Sequence, residues 1–407
     1  MTVNILARVC IVFALSVLPN LAVAGPVLST ETTEITLRSN RATAHIVALK
    51  WANPAIERKK HRRGVTLVFS GGPGFSTSLL NSAFLGPQRV ETGPTVVFRA
   101  DPQNLLNYSD FIFVDPPGTG YSTIEPIAHL AEAWSMPEDN YLLLGAAKKL
   151  LSGNAGPIFL VGESYGAVRA AAVLEGLSKD PVFAPRLRGL ILFSPALTLG
   201  SKGATEDAKP PVVDSPTYRA LQKHHKAETF SQNLEAEQFR SELLKDRGLI
   251  LGRFDGRFTA SVARNPSPYS DPSFDDIWAS HQALLPKYLT QYLRVSDSLR
   301  YAVWAPQSAA VWKWRDGVDA VLPPVDLNTA TQIGDVIRHN RKIRLFVATG
   351  TYDLAAPYAD TKASLRRAGI GDEVSVFKVY PAGHFIYLDR NAEKSLSRDL
   401  RFFFKEQ

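Results

Sequence analysis

The sequence predicts an α/β fold: a mostly parallel sheet covered by helices on both faces, with a largely helical segment inserted before its last strands. Three observations predict it. Short apolar runs recur at residues 65–69, 111–114, 158–161, 190–193, 345–348 and 374–379. Several are nearly continuous in β-branched and aromatic residues, as strands buried on both faces are. Helix-prone stretches alternate with them. Between Phe193 and Leu345 the rhythm breaks for about 150 residues, far beyond the roughly 2–6 of an ordinary connection between helix and strand.

Taken from the start, the first 24 residues read as a cleavable leader. Arg8 is the only charged side chain before Glu31, a mostly apolar run covers 9–18, and Ala22-Val23-Ala24 supplies small residues for a signal peptidase. The run is too short to span a bilayer, which takes roughly 20 residues. The expected product is exported, to the periplasm or the medium, with no stable membrane span. Cys10, the only cysteine, lies in this leader, so the mature chain would hold neither a disulfide nor a thiolate-based metal site.

The expected organisation is a core over 25–197, an inserted helical cap over 198–340, and the end of the core over 341–407. A hairpin opens the core, with strands over 34–37 and 42–49. The net charge is +7, part of it in the run Arg58-Lys59-Lys60-His61-Arg62-Arg63. Without interleaved aromatics, and behind an export leader, this run reads as a solvated loop, and no nucleic-acid partner is expected. Within the cap, helices are expected over 234–244 and 275–292. Four of the six tryptophans fall there (Trp278, Trp304, Trp312, Trp314); such aromatics could line a substrate pocket, but most are expected to fill the cap's own core and none is assigned to a site.

The chemistry sits at the ends of strands. The run 158–161 leads into Gly162-Glu163-Ser164-Tyr165-Gly166 and then a helix-prone stretch, the strand–turn–helix setting of a nucleophile elbow. Serine needs a base. His45 falls in a strand, His61 in the basic run, and His224 and His225 in the cap. His384, in Pro381-Ala382-Gly383-His384 after the last strand, lies at the carboxyl end of the sheet, where open α/β folds place their sites. Asp353 follows the strand before it and is assigned as the acid that orients the imidazole. Asp360 and Asp389 are rivals that do not immediately follow a strand. The order Ser, Asp, His is that of the α/β-hydrolases.

Oxyanion donors are assigned to the N–H groups of Gly72 and Tyr165. The first lies in the turn Ser70-Gly71-Gly72-Pro73-Gly74, where glycine lets backbone approach a substrate carbonyl. No Gly-Lys-Ser/Thr follows that turn, and Gly118-Thr119-Gly120 lacks the third glycine of a dinucleotide site. No cofactor and no metal are expected.

Four motifs, in order, resemble the serine carboxypeptidases: Phe69 to Gly74, Asp115-Pro116-Pro117-Gly118-Thr119-Gly120-Tyr121-Ser122, Gly162 to Gly166, and Ala382-Gly383-His384. The resemblance implies a peptidase that removes C-terminal residues, with Glu163 helping to hold the substrate's terminal carboxylate and favouring acidic pH. Two positions depart from the pattern. Ser70 stands where the family has asparagine, and Phe84 where it has a second glutamate. Both belong to the clamp for that carboxylate, so Glu163 and Ser70 are the substrate-binding candidates. Arg89 and Arg169 are the cations placed to compensate. The same fold and triad also serve esterases, acyltransferases and prolyl-aminopeptidase-like enzymes, and a binding protein without catalysis is the alternative from another class.

Overall fold

A computed structural model of the chain describes residues 26–53, 63–91, 97–100, 104–197, 248–261, 271–293, 301–314 and 329–406. The leader, most of the basic run, His224, His225 and the helix expected over 234–244 lie outside the described residues.

Thirteen strands are described: β1 (Val27–Thr36), β2 (Thr43–Ala52), β3 (Gly64–Phe69), β4 (Gln88–Glu91), β5 (Val97–Ala100), β6 (Ser109–Val114), β7 (Thr123–Glu125), β8 (Ile158–Glu163), β9 (Leu187–Phe193), β10 (Leu249–Leu251), β11 (Thr259–Ser261), β12 (Arg344–Gly350) and β13 (Ser375–Tyr380). Nine of them form one sheet in the order β1-β2-β6-β3-β8-β9-β12-β13, with β7 also on β2. From β6 to β13 every neighbouring pair is parallel, while β1, β2 and β7 pair antiparallel. The opening hairpin is longer than its apolar residues suggest, because β1 is largely solvent-facing and its ladder needs no apolar side chains. The short pairs β4–β5 and β10–β11 were not anticipated from the sequence.

Helices α1 (Met136–Leu151), α2 (Gly166–Ser178), α3 (Asp275–Leu293), α4 (Thr329–His339), α5 (Tyr358–Arg367) and α6 (Arg390–Lys405) cover the sheet. Alternate strand residues feed two cores, as the two-residue side-chain period requires. Ile112, Val114, Leu160, Leu190, Leu192 and Val347 pack with α1, α2 and α4. Phe111, Phe113, Val161, Ile191, Phe193 and Phe346 pack with α3 and α6. Two helices from the 198–340 stretch therefore bury side chains against the sheet: Ile333, Val336 and Ile337 of α4 on one face, Leu285, Tyr288 and Leu289 of α3 on the other. Among the described residues no helix is long and apolar enough to cross a membrane.

Candidate active site

The elbow forms because β8 must reverse into α2 within a few residues. Ser164 takes a positive φ of 54°, a strained setting for a residue with a side chain. Neighbouring backbone holds it there: its N–H donates to the Phe193 carbonyl at 2.9 Å, and its own carbonyl accepts from Ala167 and Ala196, both at 3.0 Å. The flanking glycines are required by contact rather than by their own dihedrals. A Cβ on Gly162 would lie 2.5 Å from the Gly166 carbonyl oxygen, and one on Gly166 would lie 2.3 Å from that of Phe69.

His384 and Asp353 meet from adjacent strand ends. The imidazole Nδ1 lies 2.8 Å from Asp353 Oδ2, and both side chains are buried. The other carboxylate oxygen accepts from the N–H groups of Ala355 and Ala356, each at 2.9 Å. The acid is thus fixed before it meets the histidine. Burial pulls the His384 pKa down, but the Asp353 charge and hydrogen bond, with Glu163 beside it, raise it above the ordinary histidine value. The rivals lie elsewhere: Asp389 caps α6 through Asn391 and Ala392, and Asp360 sits in the first turn of α5.

Beside Ser164 runs the glycine turn. A Cβ on Gly71 would meet Ser164 Cβ at 2.8 Å, and Gly72 has a φ of 109°, which glycine adopts at little cost. Among the described residues, the N–H groups of Gly72 and Tyr165 donate to no other backbone group. The Tyr165 ring is buried, with Trp312 and Trp314 each edge-on at 5.6 Å.

Ser164, His384, Glu163 and the Ser70–Pro73 turn line one cavity of about 260 Å³, whose other walls are Phe75, Leu79, Phe254, Phe274, Trp278, Trp304 and Phe385. Phe75 stacks on Trp304 at 5.5 Å and meets Trp278 edge-on at 5.0 Å. One polar strip breaks this lining: Ser76 and Ser78 share a 2.8 Å hydrogen bond, and Ser78 lies 2.9 Å from His281 Nε2. Burial lowers the His281 pKa to about 4. Of the four tryptophans of the insertion, Trp278 and Trp304 wall the cavity, so for these two the pocket-lining alternative holds. Their density in the insertion was the only signal, and no motif distinguishes a lining tryptophan from a core one.

A family model described as serine carboxypeptidase matches residues 51–382. The chain belongs to the serine carboxypeptidase family. It is 31% identical over 139 residues to serine carboxypeptidase-like 36 from Arabidopsis thaliana, a match covering 33% of this chain and 28% of that relative. The fold is similar to that of Kex1, a prohormone-processing carboxypeptidase from Saccharomyces cerevisiae, at 14% identity and a TM-score of 0.63, covering 93% of this chain and 91% of the other. With the sheet order described above, this is the α/β-hydrolase fold.

Within this family the departures at the clamp have a physical content. Ser70 is buried and its hydroxyl donates to the Phe75 carbonyl at 2.7 Å, so its proton is committed inside the turn. Phe84 is core: it stacks on Tyr387 at 5.3 Å and meets Phe193 edge-on. Arg169 does not reach the cavity as a free cation, because its guanidinium is buried against Asp139. The side chain of Arg89 lies outside what is described. Glu163 remains. Burial pushes its pKa up to about 7 against the opposing pull of His384. The Tyr387 hydroxyl lies beside it, near enough to favour the charged form but outside strict hydrogen-bond geometry, leaving Glu163 Oε1 without a partner.

Proposed function

We propose that this protein is an exported serine carboxypeptidase that cleaves C-terminal residues through an acyl-enzyme on Ser164. The observation that carries the reading is the buried His384–Asp353 pair opening, with the strained Ser164, onto one largely apolar cavity. His384 takes the hydroxyl proton as Ser164 Oγ attacks the scissile carbonyl. The N–H groups of Gly72 and Tyr165 hold the developing oxyanion. Collapse of the intermediate expels the C-terminal residue as its amine, protonated by His384, and water then repeats the cycle on the ester. Protonated Glu163, which lines the cavity, donates to the substrate's terminal carboxylate. In the productive state both Glu163 and His384 are neutral, which holds the same number of protons as the charged pair, so activity on free acids peaks between the two coupled steps.

A second reading rests on one observation. With Ser70 and Phe84 in place of the family's clamp residues, a neutral acyl group can also occupy the cavity, which supports ester hydrolysis or acyl transfer. The discriminating experiment offers matched peptides with free or amidated C-termini and free or blocked N-termini, beside a simple ester, and identifies products by mass. Release of single residues from free C-termini supports the carboxypeptidase. Ester turnover alone supports the second reading. Export is tested by the N-terminus of protein recovered outside the cytoplasm, expected at Gly25.

A further inference from the structure

Arg169 is among the largest fully buried side chains of the fold, and its charge is buried with it. It lies five residues beyond Ser164, on α2. Nε donates to Asp139 Oδ2 at 2.7 Å, and Nη2 reaches Asp139 Oδ1 at 3.4 Å. Nη1 donates to two carbonyl oxygens, Ser70 at 2.8 Å and Gly71 at 3.1 Å. A buried ion pair adds little net stability over well-packed apolar residues, so stability is a weak account of this arrangement.

The peptide plane offers a better one. The Gly71 carbonyl and the Gly72 N–H belong to one rigid unit and, in a trans peptide, point in opposite directions. Fixing the Gly71 oxygen on the guanidinium therefore aims the Gly72 N–H away from α2's interior, and Gly71 lies so close to the nucleophile that a Cβ on it would sit 2.8 Å from Ser164 Cβ. The same arginine stands on the helix that Tyr165 caps at its N-terminus, and its guanidinium lies 5.0 Å over the Tyr165 ring. One side chain thus ties together both proposed donors, which come from segments almost a hundred residues apart in the chain.

We infer that Arg169, aimed by Asp139, is a positioning residue that sets the direction of the Gly72 N–H relative to the Tyr165 N–H and so builds the oxyanion hole. The inference rests on the serine hydrolase reading above, with those two donors, but not on the preference for a free C-terminus.

The experiment compares the full chain with Arg169→Met, Arg169→Lys and Asp139→Asn. It measures kcat and KM on a simple ester and a peptide, inhibition by a boronic acid that mimics the tetrahedral intermediate, inhibition by a ground-state product, and thermal unfolding. Losing the aim of one donor is expected to lower kcat by about 10²-fold, the low end for removal of an oxyanion donor. KM and product inhibition stay within about threefold, and boronate affinity falls by the same factor as kcat/KM, as transition-state binding requires. Arg169→Lys restores part of the loss, and Asp139→Asn loses about tenfold. A folded variant with unchanged kcat overturns the inference. So does equal weakening of product and boronate binding, which a merely structural role produces. Should Arg169→Met not fold, the lysine and asparagine variants decide by the same criteria. If the wild type hydrolyses the ester through Ser164 but releases no C-terminal residue, the carboxypeptidase reading fails while this test still runs on the ester.

Discussion

The two sides of the cavity are built on different principles. On the side of Ser164, Asp353 and His384, polar groups are held by partners from the protein itself: Asp353 by two backbone N–H groups and the imidazole, and the backbone N–H of His384 by the Phe254 carbonyl. On the other side stand aromatic rings, a hydroxyl turned inward at Ser70, and a single acid, Glu163. Preorganised donors and acceptors are what a developing charge needs. A selector for a carboxylate needs groups left free to meet it. On the proposed reading the difference teaches that the chemistry and the specificity of one site are separable: the first rests on groups locked into the sheet, and the second on Glu163.

The largest effect should come from breaking the catalytic side. Ser164→Ala is expected to lower kcat by roughly 10⁴-fold or more with little change in unfolding temperature, His384→Ala by a comparable factor, and the double variant by little further. Steady-state kinetics on the ester checks this. A Ser164→Ala protein with a tenth of its activity would sink the assignment.

Next comes the elbow itself. Gly166→Ala places a methyl 2.3 Å from the Phe69 carbonyl oxygen, which belongs to backbone and has no flexible end to move. Loss of activity together with a fall in unfolding temperature is expected, in contrast to Ser164→Ala, where only activity falls.

The selector side should respond more gently and through pH. Glu163 has its pKa raised by burial to about 7. A folded pKa above the unfolded one means that its contribution to stability is present below about pH 4 and is lost as pH rises through 7. Glu163→Gln should therefore raise the unfolding temperature relative to wild type at pH 8 but not at pH 4. In activity, kcat/KM on free-acid peptides should fall as Glu163 ionises near pH 7, while ester hydrolysis continues upward with deprotonation of His384. Superimposable profiles would remove Glu163 from substrate binding.

The smallest effect concerns the aromatic wall. Trp304→Ala should raise KM for apolar substrates several-fold, by about 1 kcal/mol of lost contact, and leave kcat within twofold.

How much of this was legible in the sequence follows the same division. The strand runs, the glycine-framed Ser164 and the order Ser164, Asp353, His384 could be read because each obeys a local rule: buried strands are apolar throughout, and a sharp turn needs glycine where backbone crowds. β1 was under-read because a solvent-facing strand needs no apolar side chains. The cavity wall was legible only as a density of aromatics in the insertion, not residue by residue. Phe75, Trp278 and Trp304 converge from distant segments, and no local pattern marks them. Arg169 was legible as a cation but not in its role, since a pairing with Asp139 thirty positions away is a tertiary fact.

The most direct test of this separation is the ratio of kcat/KM for a free-acid peptide to that for its amide, measured below pH 7 in the wild type and in Glu163→Leu, which has no donor to offer. One charge-assisted hydrogen bond of about 1–3 kcal/mol predicts a wild-type ratio between roughly 5 and 150, collapsing to about 1 in the variant. A ratio that survives Glu163→Leu, or a wild type in which the amide is all but resistant, would show that another group holds the carboxylate and would contradict the account.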